Sequence, residues 1–244
     1  GIITELEMPL GPTYPWAEYI VTFADFMTAA HFGRALGNAD GIIKKLISVY
    51  AWPIPQYFGP FQSIIPDGAH CAFLMVAQSC EEALAALVKE FRGDIVHQKG
   101  AAAVGKGQML VEYGWNHTTL HARSVDPSLT YLQTLYPCEP DLATLEHLYH
   151  HFGDEVMVHL EFIRSNGAVA TTGLQVVRYS TPERLQEIMA YHEAKGALIF
   201  NPHTYVMEDG GDRQIDPAKV NFKEKVDPYG LLNPGKMRGW EERR

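Results

Sequence analysis

The densest group of side chains able to do chemistry runs Tyr113-Gly-Trp-Asn-His-Thr-Thr-Leu-His-Ala-Arg123. Taken as an extended strand, its period of two puts His117, Thr119, His121 and Arg123 on one face. Two imidazoles, a hydroxyl and a fixed guanidinium suit the binding of an anionic or hydroxylated substrate and the removal of its proton. His117 is the candidate base, with Tyr113, Asn116, Thr119 and Arg123 as candidate substrate contacts. Thr130-Tyr-Leu-Gln133 alternates too, so Tyr131 and Gln133 share a face and join that set. The competing reading is a polar sheet face in water, with His121 and Arg123 simply solvated.

A second group, Asn201-Pro-His-Thr-Tyr205, follows directly on the apolar run 197–200. A Pro turn at a strand end places His203 and Tyr205 where loops face clefts, and both are candidate catalytic residues. An ordinary loop histidine is the alternative. A third group, Glu146-His-Leu-Tyr-His-His151, spaces His147, His150 and His151 at i, i+3 and i+4. Leu142, Leu145, Leu148, Tyr149 and Phe152 occupy the opposite face, which must be the buried one. The histidines are therefore expected in solvent, with no metal bound. Gly105-Lys-Gly107 and Gly210-Gly211 fit neither common phosphate-loop pattern. No G-x-S-x-G elbow is present, which leaves hydrolase chemistry without support.

The elements that must position these groups read as two similar units. In the first, strands are expected over 18–23, 44–51, 71–77 and 95–98. A helix over 26–36 is capped by Asp25, and a second helix carries the stripe Leu84, Leu87, Val88 and Phe91. Ser79 with Glu82 has the spacing of a capping box for that second helix. In the later unit, strands over 155–164 and 168–179 flank the hairpin signal Asn166-Gly167. Thr181 caps and Pro182 opens a helix with the stripe Leu185, Ile188, Met189 and His192, and a strand follows over 197–200. Residues 1–10 alternate weakly and are expected to form a further strand. Strand–helix–strand units separated by extra strands give an α+β fold, an antiparallel sheet with helices on one face.

A chain of 244 residues can bury a sizeable core in one large domain or two small ones. Its net charge of −9, with no basic run, argues against a nucleic-acid surface. No apolar stretch reaches the length of a membrane span. Three cysteines in unrelated contexts imply reduced thiols and a cytoplasmic setting.

Near the end lies Asp227-Pro-Tyr-Gly-Leu-Leu-Asn-Pro-Gly-Lys236, two turns around the apolar pair Leu231-Leu232, holding Lys236 at a fixed angle. This D-P-x-G-L-L-N-P-G-K run resembles the closing motif of the FAD-linked oxidases, the vanillyl-alcohol oxidase / glycolate oxidase superfamily. Gly1-Ile-Ile-Thr-Glu-Leu6 is similar to the strand that closes that family's flavin domain. The resemblance implies a last flavin-domain strand over 1–12, a substrate-binding cap over 13–215 and a C-terminal return over 216–244. The cap would be a duplicated ferredoxin-like domain with one large sheet. The implied cofactor is FAD, touched by Asn233, Pro234, Gly235 and Lys236 and held mainly by a flavin domain of the same chain. The implied reaction is oxidation of an alcohol or hydroxy acid by hydride transfer to flavin, with a cap-domain base receiving the hydroxyl proton. A homodimer is a further expectation. The family's 2-hydroxy-acid branch carries a metal motif that this sequence replaces with Asn201-Pro-His-Thr-Tyr205, so lactate- or glycolate-type chemistry and a metal are not expected. The contrasting class is a ferredoxin-like ligand-binding or regulatory module without redox activity.

Overall fold

A computed structural model describes residues 4–201, 204–210 and 216–243. The chain divides into two compact units, Tyr14–Ile199 and a smaller one made of Gly1–Thr13 with Phe200–Arg244.

The larger unit starts with β1 (Trp16–Phe23), α1 (Phe26–Asn38), β2 (Lys44–Tyr50), β3 (His70–Ala77), α2 (Glu81–Glu90) and β4 (Asp94–Lys99). A second set follows the helix α3 (Asn116–Val125). It comprises β5 (Leu129–Leu135), α4 (Ala143–Phe152), the short β6 (Val156–Met157), β7 (His159–Ser165), β8 (Ala168–Arg178), α5 (Pro182–Ala194) and β9 (Leu198–Phe200). The strands form one sheet in the order β4-β1-β3-β2-β7-β8-β5-β9, with β6 on β8. Every pairing from β4 through to β5 is antiparallel. Each set has the β-α-β-β-α-β order of a ferredoxin-like half, and the halves join at β2 and β7. The expected α+β fold with a large antiparallel sheet is what the chain adopts.

Local sequence explains most elements. The Asp25 carboxylate accepts from the Thr28 amide at 2.7 Å and starts α1. Thr181 accepts from the Arg184 amide at 3.1 Å and starts α5, with Pro182 at the first helical position. Asn166 and Gly167, at φ 50° and 80°, turn β7 into β8 with Ser165 opposite Ala168. Two expectations fail here. Ser79 and Glu82 form no capping box, because Gln78–Cys80 tighten into a 3-10 turn and α2 starts without a side-chain cap. Residues 4–10 form no strand.

The four helices α1, α2, α4 and α5 cover one sheet face. Phe32, Leu36, Leu84, Leu148 and Ile188 meet Val21, Val49, Leu74 and Leu160 in that core. The opposite face is buried as well, beneath chain that is mostly irregular. Ile54, Phe58, Phe61, Leu110, Tyr113 and Ala122 lie on Ile20, Tyr50, Phe73, Met157 and Val176. Phe58 is fully buried, edge-on to Tyr50 at 5.0 Å and to Tyr113 at 5.1 Å. Truncating it leaves a cavity that this irregular layer cannot close. Phe58→Ala is expected to cost about 3–5 kcal/mol of unfolding free energy, read from chemical denaturation.

Beneath α5 the buried amide of Gln175 links three side chains. Its oxygen accepts from Thr134 at 2.7 Å, and its nitrogen donates to Tyr136 Oη at 2.9 Å. His192 Nδ1 donates to the Ile188 carbonyl at 2.8 Å, which leaves Nε2 as acceptor facing Gln175 Nε2 at 3.4 Å. Burial lowers the His192 pKa from the ordinary 6.5; the Ile188 bond opposes that shift and nearby His151 adds to it. Just below pH 6.5 the unfolded chain therefore binds more protons than the folded one, and stability falls as the pH drops through that window. Urea midpoints should decrease between pH about 7.5 and about 5.5, and less steeply for His192→Leu. Equal acid loss in both proteins would remove His192 from that account.

Candidate functional site

The segment 110–125 is where the sequence reading and the structure part most clearly. It is not a strand: Leu110–Tyr113 make a 3-10 turn and Asn116–Val125 make α3. The alternation that suggested a strand also spaces Thr118 and Ala122 one turn apart, and both are buried beneath α3. His117, Thr119, His121 and Arg123 consequently do not share a face by strand periodicity. Asn116 and His117 are exposed, while Thr119 is buried with no partner for its hydroxyl among the described residues. Arg123 donates to the Leu129 carbonyl at the start of β5. Tyr131 and Gln133 do lie together on β5, on the same face as Leu129, the one that α3 covers. Tyr113 is a core residue: its ring is fully buried, its hydroxyl accepts from Gln108, and burial pushes its pKa up. His121 stacks on the Tyr113 ring at 4.2 Å, nearly parallel. His121 Nε2 lies 3.0 Å from the Glu112 carbonyl, which can only accept. Nε2 therefore donates this bond.

The residues that hold this segment escaped the sequence reading. They are cross-strand pairs where the two halves meet: Ser48 opposite Glu161, and Tyr50 opposite His159. Glu161 is 2% exposed, and its Oε1 accepts from Ser48 Oγ at 2.6 Å and from the Trp115 amide at 2.7 Å. His159 Nε2 lies 3.0 Å from the same oxygen. The His159 ring stacks on Tyr50 at 4.6 Å, and its Nδ1 is buried without a partner among the described residues. Tyr50 Oη donates to the Tyr113 carbonyl at 3.0 Å, and Thr118 Oγ1 donates to that same carbonyl. Farther along this face, Glu18 Oε1 accepts from the Leu110 amide at 2.8 Å, with Lys99 Nζ 3.9 Å from its other oxygen. A signal existed in the sequence: polar residues at 159 and 161, two apart in an apolar strand, must be buried with partners.

The turn that begins α3 is unusual. Trp115 has φ 53° and ψ −139°, and its indole is 47% exposed. A bulky residue there costs roughly 1–3 kcal/mol unless its surroundings hold it. Gly114 leaves no room for a side chain, since a Cβ would sit 2.9 Å from Ser48 Oγ and 3.2 Å from Glu161 Oε1.

The second candidate region lies in the smaller unit. Here α6 (Pro217–Val226) ends at Asp227, and the short α7 (Arg238–Glu241) follows the motif. Asp227 accepts from the Leu231 and Leu232 amides at 2.9 and 3.0 Å and from Lys223 Nζ at 2.6 Å. The Lys223 ammonium, with those amides, brings its carboxyl down to about 2. Both expected turns form: the Gly230 amide donates to the Asp227 carbonyl at 2.9 Å, and Lys236 to Asn233 at 3.4 Å. The apolar pair is only half a plug, because Leu232 is partly buried but Leu231 is exposed. Lys236 is fixed with Nζ 3.3 Å from the Tyr205 ring centroid, and Tyr205 Oη donates to the Pro234 carbonyl at 3.4 Å. A cleft of about 470 Å³ opens between Tyr205, Lys219, Phe222, Val226 and Lys236. His203 lies outside the described residues.

A flavin dinucleotide carries two phosphates that need convergent amides or cations. In the tail the Leu231 and Leu232 amides and Lys223 are already committed to Asp227, leaving Lys219 and Lys236 at the cleft. These residues fit a contributor to a flavin site and not a complete one. No group of His, Cys, Asp and Glu able to hold a metal ion occurs among the described residues, and His147, His150 and His151 are exposed.

The sequence matches no protein-family model and no curated protein. The fold is similar to solved structures of alkyldihydroxyacetonephosphate synthase in two crystal forms. One matches at TM-score 0.57 and 14% identity, over 91% of this chain and 44% of that one. The other matches at TM-score 0.53 and 13% identity, over 90% and 44%. The chain thus spans less than half the length of these proteins, and the likeness is one of fold.

The tail geometry makes a local prediction. Asp227→Ala removes the acceptor for two amides and the partner of Lys223 at once. Hydrogen exchange should show Leu231 and Leu232 losing protection while β1, β3 and β8 keep theirs. Unchanged protection at those two amides would show that the turn is held otherwise.

Proposed function

We propose that this chain is the substrate-binding and C-terminal portion of an FAD-dependent oxidoreductase that oxidises an alcohol or hydroxy acid. The observation that carries the reading is the fold likeness, along nearly the whole chain, to a synthase of the FAD-linked oxidase family. The ordered turn at Asp227–Lys236, whose sequence suggested that family, supports it. In this reading residues 1–12 pair within the flavin domain. Residues 13–215 form the cap and 216–244 return to the flavin domain.

Bound flavin would supply the two-electron acceptor for the substrate's C–H hydride. The chain's own task is to bind the substrate, orient it and take the hydroxyl proton. His117 is assigned the proton-accepting role and Asn116 a direct contact. Both side chains face solvent and make no hydrogen bond among the described residues, which leaves them available. Tyr131 and Gln133 are assigned to the substrate-facing side of β5. Tyr113, Thr119 and Arg123 are assigned to shaping that face, because each is buried or bonded to backbone. Tyr205 and His203 are kept as catalytic candidates of the smaller unit, and Asn233, Pro234, Gly235 and Lys236 as its contribution to the cofactor.

The purified full-length protein should show a flavin absorption spectrum. A colourless protein that takes up no added FAD would leave only a ligand-binding module without redox activity. In the flavoprotein, His117→Ala should slow substrate-driven flavin reduction by about 10²- to 10⁴-fold. An unchanged rate across primary alcohols, aromatic alcohols and hydroxy acids would remove the base assignment.

A further inference from the structure

We infer that Glu161 is a positioning residue whose carboxyl holds the Gly114–Trp115 turn and so sets where α3 presents Asn116 and His117. The functional weight of that presentation rests on the reading above; the positioning itself does not. In a capping box, a Glu at the third helical position accepts the amide of the N-cap residue. The third position of α3 is Thr118, and its hydroxyl is spent on the Tyr113 carbonyl. Trp115, at the N-cap, has no side-chain cap bond. Its amide goes instead to Glu161 Oε1 at 2.7 Å, from a strand 46 positions away. The missing local cap is thus supplied across the seam of the two halves.

Two further observations point the same way. Trp115 takes a backbone conformation that side-chain-bearing residues avoid, and such positions persist where the surroundings over-determine them. Gly114 is pressed so closely on Ser48, Leu46 and Glu161 that the turn and the carboxyl fit as one unit. A carboxyl serving only to seal a sheet seam would not need to reach this amide. The consequence is that a fully buried group, remote from solvent, fixes an exposed indole, amide and imidazole in one arrangement.

The test is hydrogen exchange on this chain. Glu161→Ala should speed exchange of the amides from Trp115 to Thr119 by at least about tenfold, while β1, β3 and β8 stay protected. Trp115→Gly provides the specific control, because glycine tolerates φ 53° without help. In that background the same Glu161→Ala change should speed exchange of the His117 to Thr119 amides, which do not bond Glu161, by less than about threefold. Should Glu161→Ala fail to fold, Glu161→Gln, which keeps an acceptor oxygen, should hold the Trp115 amide within about threefold of wild type. Faster exchange spread evenly over the whole sheet, or an increment the glycine background does not reduce, would overturn the inference. In the full-length flavoprotein, the losses from Glu161→Ala and His117→Ala should combine to less than their product, since both act through one segment. Fully multiplicative losses would overturn the presenting role. A full-length protein without flavin would overturn the functional reading and leave the exchange experiment to decide Glu161 alone.

Discussion

The larger unit has to bury both faces of a sheet while owning enough regular helix for only one. On the first face the apolar stripes of α1, α2, α4 and α5 do this in the ordinary way, and a helix pairs most of its own backbone groups. On the second face the covering chain is mostly turns, whose backbone groups have no ladder or helix to pair with. Buried backbone amides and carbonyls cost free energy unless they are bonded. Side chains from the sheet therefore rise to meet them: Glu18 takes the Leu110 amide, Tyr50 reaches the Tyr113 carbonyl, and Glu161 takes the Trp115 amide. The polar pattern of the second face follows from the irregularity of what covers it.

This constraint also explains where the polar groups sit. The two ferredoxin-like halves share the short register Ser48↔Glu161, Val49↔Leu160 and Tyr50↔His159. Val49 and Leu160 face the helical side and seal it with apolar surface. The residues alternating with them face the other side and form the bonded cluster beneath α3. One three-residue pairing thus has an apolar face that joins the halves and a polar face that anchors the segment connecting them. Removing Glu161 would leave donors on Ser48 and Trp115 without an acceptor, which is why its cost is expected to concentrate at that segment.

How much could be read in advance depended on whether a local rule had competition. Asp25, Thr181 with Pro182, and Asn166-Gly167 each satisfy backbone groups within a few residues, so the ends of α1 and α5 and the β7–β8 turn were legible. The α3 segment was not, because its polar alternation fits a strand and its Thr118–Ala122 spacing fits a helix turn. Contact with the sheet decided between them. The capping box at Ser79 lost to a 3-10 turn for a similar reason: Cys80 is drawn inward, where its Sγ accepts from the Ile43 amide at 3.4 Å. Glu161 marks the opposite case. Its burial was legible from the apolar residues around it, but its partner at Trp115 depends on a fold that brings distant segments together.

The closing motif of the smaller unit shows why a recognisable sequence can be a poor guide to chemistry. Its polar groups are largely consumed in holding its own shape: Asp227 by two amides and Lys223, and Lys223 by Asp227 and the Leu232 carbonyl. Among its exposed residues are Leu231 and Tyr229, and Phe222 and Val226 of α6 are exposed as well. Groups already bonded to one another cannot take a proton from a substrate without first giving up those bonds. Exposed apolar side chains on a rigid turn are suited to packing instead. Asp227 and Lys223 therefore serve the scaffold of the turn. Asn116 and His117, whose side chains make no hydrogen bond among the described residues, stand in a segment whose first turn is held by the buried Glu161 carboxyl.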